Sequence, residues 1–174
     1  MAGRNAHTQF SFKWGGRPCP PLLLVRTLSS RVTGFRSFVV SVAVMKIIRF
    51  HATDDGGSRF QEIEIPIEKP RTDKFGNTMH QSGVFASPGV LFVELPRGLD
   101  QSWHNAPARQ IVFVLSGTVE VGTTDGETRR WGPGSAFMPY DTSGKGHTTR
   151  VLEGPAMVAF IQLPEGLDVE NWPR

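Results

Sequence analysis

Two strand-like segments that meet at a glycine constrain the fold of this chain more than any other feature of its sequence. Gln110–Leu115 and Thr118–Val121 are rich in β-branched and aromatic residues, and Ser116-Gly117 separates them. Such runs around a turn residue are typical of consecutive β-strands. Seven further segments share this composition: Lys46–Phe50, Phe60–Ile67, Val90–Leu95, Glu127–Trp131, Ser135–Met138, Thr148–Leu152 and Ala156–Leu163. About nine short strands at regular spacing predict an all-β sandwich or barrel.

The connections between these segments support the same fold class. Asp125-Gly126 lies between Thr118–Val121 and Glu127–Trp131, which is a strong hairpin signal. Glu68–Ser87 is polar and contains proline and glycine, so it is predicted to be a long connection of the kind that is often mobile or functional. No helical periodicity of useful length follows Met45, and 174 residues suit one domain with a substantial core.

Residues 1–44 differ in composition from the rest of the chain, and we place the folded domain at residues 45–174. The first 45 residues hold six Lys or Arg and no Asp or Glu. An organelle transit peptide has this composition, whereas a signal peptide fits less well because arginines interrupt the apolar stretch. The interpretation that we favour is an extension that is disordered or absent from the mature protein, with translation starting at Met45. The protein is then expected in the cytoplasm, and in an organelle only if the extension is a transit peptide.

The basic character of the chain belongs to this extension. The remaining residues hold 13 of the 19 basic residues and all 16 acidic residues, so the predicted domain carries a slight negative balance. We therefore expect no nucleic-acid partner. The extension has two apolar patches, Leu22–Val25 and Phe38–Val44. Neither reaches the roughly 20 residues that span a bilayer, so no membrane partner is expected. The chain has one cysteine, Cys19, which excludes an internal disulfide.

Polar residues at fixed spacing around the two central strands give the chain its family resemblance. The positions in question are Ser102, His104, Gln110 and Gly117, followed by Gly132-Pro133-Gly134 and His147. Their spacing resembles the two motifs of the cupin superfamily, in which His-x-His, Glu and Gly are followed by a Pro-Gly turn and a further His. The resemblance covers roughly residues 90–163. The segment Asp-Thr-Ser-Gly-Lys-Gly-His at 141–147 is also similar to a group of single-domain bacterial cupins.

The resemblance implies a small jelly-roll-like barrel, a double-stranded β-helix, that holds a metal or a ligand inside. Members of the family are commonly dimers, so a homodimer is expected, and the partner implied for the barrel is a small organic molecule. In the family, the histidines and the glutamate converge on one divalent metal. Carried over to this sequence, His104 and His147 are the implied ligands of Fe, Mn, Zn or Ni.

Two departures weaken that metal site. Ser102 stands where the first histidine belongs, and Gln110 stands where the glutamate belongs. Because an amide oxygen carries no charge, Gln110 is a poorer ligand for a divalent cation than a carboxylate. We favour a role for Gln110 in orienting a ligand or a neighbouring histidine over direct metal binding.

Asp141 could restore the missing carboxylate, because it lies six residues before His147. With His104 and His147 it would form the two-histidine, one-carboxylate set of non-haem iron enzymes. The alternative is that Asp141 stabilises its own Asp-Thr-Ser-Gly turn, as aspartate often does in such loops.

The sequence leaves two function classes open. The first is a barrel that binds a small molecule without chemistry, at a pocket formed by Ser102, His104, Gln110, Asp141 and His147. The second is a metal-dependent dioxygenase, isomerase or decarboxylase that acts on a small oxygenated substrate. Strand alternation is expected to turn some aromatic residues inward, which would give the pocket apolar walls. No catalytic residue is predicted, and His51 and His80 are expected at the surface because no motif surrounds them.

Overall fold

Eleven β-strands form the regular structure in the described part of the chain, residues 23–27 and 41–172 of a computed structural model, with side chains described from residue 44 onward. The strands are β1 (Leu23–Thr27), β2 (Ser41–Ala52), β3 (Ser58–Ile67), β4 (Lys69–Thr72), β5 (Thr78–Gln81), β6 (Val90–Leu95), β7 (Asp100–His104), β8 (Gln110–Gly122), β9 (Thr128–Trp131), β10 (Ala136–Pro139) and β11 (His147–Gln162). No helix occurs within these residues, so the predicted all-β class is confirmed. None of the described segments is therefore a helix long and apolar enough to cross a membrane.

Nine of the strands belong to one sheet whose main path is β1-β2-β10-β8-β11-β6. On the sides of this path, β3 pairs with β2, β7 with β11 and β9 with β8. Across the described strands the ladder does not close into a ring, which is consistent with a small jelly-roll-like sandwich. The strands β4 and β5 form a separate two-stranded hairpin.

The long antiparallel ladder between β8 and β11 is bent near its middle. Gly117 adopts a φ of 77° in the middle of β8, a conformation that residues with a Cβ adopt at a cost. A Cβ at Gly117 would lie only 2.7 Å from the backbone of Ala156. The β11 register shifts at the same level, between Val151 and Val158, as expected where a bulge bends a ladder.

The bend encloses one apolar cluster between the layers of the sandwich. Its buried members come from β2, β9 and β10 and from both halves of β8 and β11. They include Phe50, Val114, Val121, Trp131 and Val158. A second cluster covers the other face of β2, β10 and the start of β8, where the C-terminal segment packs with Leu167, Val169 and Trp172. The β2–β10–β8 layer is therefore buried on both faces.

Most predicted strands coincide with observed ones, with two corrections. Gln110–Leu115 and Thr118–Val121 form one continuous bent strand, as do Thr148–Leu152 and Ala156–Leu163, because a bulge bends a β-ladder without ending it. The predicted connection Glu68–Ser87 contains the β4–β5 hairpin, whose turn is stabilised by Asp73. Its polar strands are exposed, so they lack the apolar alternation by which strands are recognised.

The predicted extension, residues 1–44, falls largely outside the described residues. Within it, β1 pairs with β2, and β2 begins at Ser41, four residues before Met45. The domain boundary at Met45 stays a prediction.

Candidate functional site

The structure brings together the two histidines that the motifs single out. His104 ends β7 and His147 begins β11, and the two residues are direct partners in the antiparallel ladder. Their ring centroids lie 4.3 Å apart with the planes tilted by 53°. His147 is buried and His104 is half-buried, so access to the pair from solvent is on the His104 side.

The Nδ1 atom of each imidazole forms a hydrogen bond with another group of the protein. Nδ1 of His104 lies 2.8 Å from the backbone carbonyl oxygen of Ser102, and Nδ1 of His147 lies 2.7 Å from Oδ2 of Asp141. A carbonyl oxygen only accepts hydrogen bonds, so His104 donates from Nδ1. A neutral imidazole that donates from Nδ1 keeps a lone pair on Nε2, the atom through which such histidines bind metals or accept protons.

Two loops that cross at this point set the distance between the rings. The side-chain amide of Asn105 donates to the carbonyl oxygens of Asp141, Ser143 and Gly144 at 2.8–3.2 Å. This amide joins the residue after His104 to the loop that precedes His147. Gly146, with a φ of 79°, lies so close to His104 that a Cβ there would overlap the His104 carbonyl. Asn105 and Gly146 were not singled out from the sequence, although each is the immediate neighbour of a motif histidine.

Aromatic residues fill the interior next to the pair. The Phe50 ring lies 4.6 Å from the His147 ring and 6.0 Å from that of Phe137, which in turn packs on Trp131 at 4.7 Å. The predicted inward aromatic residues are present, and they pack on one another behind the imidazoles. These rings fill the space behind the imidazoles, and their predicted role as the apolar walls of a pocket stays a prediction.

Ser102 and Gln110 lie in different environments, one exposed and one buried. Ser102 is exposed, and it serves His104 through its backbone carbonyl, which any residue could supply. Gln110 is 4% exposed and shares the inward face of β8 with Val112 and Val114. Within the described residues, its side chain makes no hydrogen bond to either imidazole. The roles of Ser102 and Gln110 in a pocket stay predictions.

The side chain of Asp141 is completely buried and faces His147. Among the described residues, no group of three or more His, Cys, Asp or Glu is arranged to hold a metal ion. The site therefore offers two neutral nitrogen donors and no anionic ligand. Two imidazole nitrogens are fewer donors than the three or four protein ligands of typical zinc sites, so a metal at this pair stays a prediction.

Two other features of the described residues could carry function. A shallow groove of about 370 Å³ lies beside Arg49, Arg109 and Tyr140 on the outer face of the sheet. His51, next to Phe50 in β2, is partly buried with no partner for its Nδ1 atom among the described residues. Burial, and then the charges of Arg49 and Arg59, lower the pKa of His51 below its ordinary value of 6.5. His51 is thus less exposed than predicted, whereas His80 is exposed as expected.

Comparison with known proteins supports a cupin-like family without assigning the chain to one. No protein-family model matches the chain. The chain is similar to the dimethylsulfoniopropionate lyase DddQ of Ruegeria pomeroyi, with 38% identity over 84 residues. That stretch covers 47% of this chain but only 40% of the lyase. This likeness and the all-β sandwich agree with the resemblance that the two motifs indicate.

Proposed function

We propose that this chain binds a small oxygen-bearing organic molecule at the His104–His147 pair, together with a divalent cation. The observation that carries the proposal is the contact between two imidazoles that come from opposite ends of a 43-residue span, each with Nδ1 committed to a protein acceptor. This arrangement leaves two Nε2 lone pairs in a half-buried position. Partly buried nitrogen atoms of this kind commonly bind a metal or a polar ligand.

The chemistry of the donor set indicates what the site selects. Imidazole nitrogens suit zinc, iron, nickel and copper, and an ion with only two protein donors keeps positions open for other ligands. Oxygen atoms of a carboxylate or hydroxyl group are suitable for those positions. Because no protein carboxylate neutralises the cation, an anionic ligand gains the most from it.

A metal titration tests the proposal. Metal-free protein is titrated with Zn²⁺, Mn²⁺, Fe²⁺ and Ni²⁺ by calorimetry, alongside His104→Ala, His147→Ala and the double variant. We expect one ion per chain in the wild type and none in the double variant. His80→Ala is the matched control, because His80 is exposed on β5 and should leave binding unchanged. Equal binding by the wild type and the double variant, or no binding by either, would contradict the proposal.

The likeness to a lyase favours a second candidate, an enzyme that acts on a small carboxylate. The relative's name gives dimethylsulfoniopropionate as its substrate, and that compound is therefore the probe of choice for this chain. A bound divalent ion would polarise the oxygens of such a carboxylate. In this interpretation His104 and His147 hold the ion, and the half-buried side of His104 admits the substrate.

One NMR experiment separates the two candidates. Metal-loaded protein is mixed with dimethylsulfoniopropionate, and the proton signals of the compound are followed with time. Consumption that stops in the His104→Ala, His147→Ala double variant supports the enzyme. Line broadening without consumption, also lost in the double variant, supports binding alone.

A further inference from the structure

Asp141 is unlike every other ion-pairing or turn-forming aspartate with a described side chain. It is 0% exposed, and among the described residues only one of its two carboxylate oxygens has a hydrogen-bond partner, Nδ1 of His147 at 2.7 Å. Burial of a carboxylate is unfavourable unless a specific interaction compensates it. The His147 imidazole provides that interaction.

The alternative role, stabilisation of a local turn, belongs to four other aspartates. The carboxylates of Asp55, Asp73, Asp125 and Asp168 each accept a backbone N–H from within four residues, at 2.8–3.2 Å. Side-chain hydrogen bonds from Thr53, Asn77, Thr123 and Asn171, and then these backbone hydrogen bonds, lower the pKa of the four carboxyl groups. The backbone carbonyl of Asp141 accepts from Ala106 N and the Asn105 amide, which belong to the loop after β7. Within the part of the chain that the structure describes, the Asp141 carboxylate accepts no backbone N–H.

A carboxylate oxygen without a proton can only accept a hydrogen bond, so in the 2.7 Å contact with unprotonated Asp141 the donor is Nδ1 of His147. Asp141 therefore selects the form of His147 in which Nδ1 carries the hydrogen and Nε2 carries the lone pair. An imidazole without such an acceptor is open to either tautomer. His104 obtains the same selection from the Ser102 carbonyl, so both rings of the pair present the same kind of nitrogen.

We infer that Asp141 is a positioning residue that locks His147 in the Nδ1–H tautomer, and so keeps Nε2 available to whatever binds at the imidazole pair. The purpose of this role rests on the proposed function of the pair, whereas the tautomer of His147 can be measured whether or not the pair binds a metal. Asp141 then acts behind the imidazole and not as a third ligand beside it.

The tautomer can be read directly in metal-free protein. Protein labelled with ¹⁵N-histidine is studied at roughly pH 8, above the ordinary histidine pKa of about 6.5. Long-range ¹H–¹⁵N correlations distinguish Nδ1–H from Nε2–H in each ring. The variants are Asp141→Leu, which removes the acceptor while filling its space, and Asp125→Leu, which removes an exposed turn aspartate. His104 serves as a reference within each spectrum.

We expect His147 to be Nδ1–H in the wild type and in Asp125→Leu, and to become mixed or Nε2–H in Asp141→Leu. Zinc affinity should fall about 10- to 100-fold in Asp141→Leu, as is typical when the partner of a metal-binding histidine is removed. An Nε2–H wild type, or an unchanged tautomer in Asp141→Leu, would overturn the inference. If Asp141→Leu does not fold, the wild-type spectrum alone decides. If the tautomer responds as expected but the wild type binds no metal, the positioning role stands and the proposed function fails.

Discussion

Gly146→Ala perturbs the candidate site at its tightest point. Gly146 has a φ of 79°, and an added Cβ would overlap the carbonyl group of His104 and lie 2.9 Å from the amide nitrogen of Asn105. Ordinary van der Waals contact begins at about 3.4 Å. The colliding atoms belong to the backbone, so no side-chain rotation can relieve the overlap. The β7 end and the β10–β11 loop must move apart.

The expected loss of stability has two parts. A left-handed φ costs an L-residue about 1–2 kcal/mol relative to glycine. Separation of the loops also strains the buried hydrogen bond from Ser58 Oγ to Gly146 O, at 2.6 Å, and the Asn105 hydrogen bonds. Loss of one or two such bonds adds about 1–3 kcal/mol, so we expect a total of about 2–5 kcal/mol.

Gly126→Ala is the matched control. Gly126 has a φ of 86° in the β8–β9 turn, but nothing lies within 4 Å of a Cβ built there. It should therefore show only the backbone part, about 1–2 kcal/mol. Urea unfolding gives the free energy of each variant, and zinc titration reports the imidazole pair. If Gly146→Ala were no less stable than Gly126→Ala and bound zinc like the wild type, the loop contact would not set the geometry of the pair.

Two further predictions concern His51 and the edge of the sheet. Because burial lowers the pKa of His51, the unfolded chain binds the proton more readily, and the free energy of unfolding should fall as the pH drops below about 6.5. Urea unfolding at roughly pH 7.5 and 5.5 should show a smaller fall in His51→Gln than in the wild type. An equal fall in both proteins would contradict a lowered pKa of His51 as its cause. The edge strand β6 pairs on one side only among the described residues and exposes 70% of Phe92 and 58% of Val90. An exposed apolar edge favours strand addition, so we propose that a second copy of the chain covers β6, in line with the expected homodimer. Light scattering should show a dimer that Phe92→Asp converts to a monomer. A monomeric wild type would exclude this dimer.

The strand pattern could be predicted from the sequence because apolar alternation follows burial. Ile63 and Ile65 are buried and Glu62 and Glu64 are exposed, as the alternation in β3 requires. The continuity of β8 through Gly117 could not be predicted, since glycine marks a turn and a bend within a strand equally well. The β4–β5 hairpin was not predicted because all but one of its strand residues are exposed, which removes the periodic signal.

The candidate site was predictable in its histidines but not in its supporting contacts. The motif spacing named His104 and His147, and the ladder register places them side by side. For Asp141 the sequence offered a metal ligand or a turn residue, and the structure shows its carboxylate on the back of an imidazole. That choice depends on the direction of one side chain across a loop, and neither periodicity nor spacing encodes this direction.

These contacts also bear on Gln110, which stands where the cupin resemblance places a glutamate. A metal site with a direct glutamate ligand places a full negative charge next to the cation. Here the nearest carboxylate of the pair, Asp141, lies behind the His147 ring, so the attraction acts over a longer distance. A cation held by the two Nε2 atoms should therefore bind more weakly and leave more positive charge for a ligand to neutralise. If the pair holds a cation as proposed, this position of the carboxylate should favour an anionic ligand, and binding of the cation and the ligand should be cooperative.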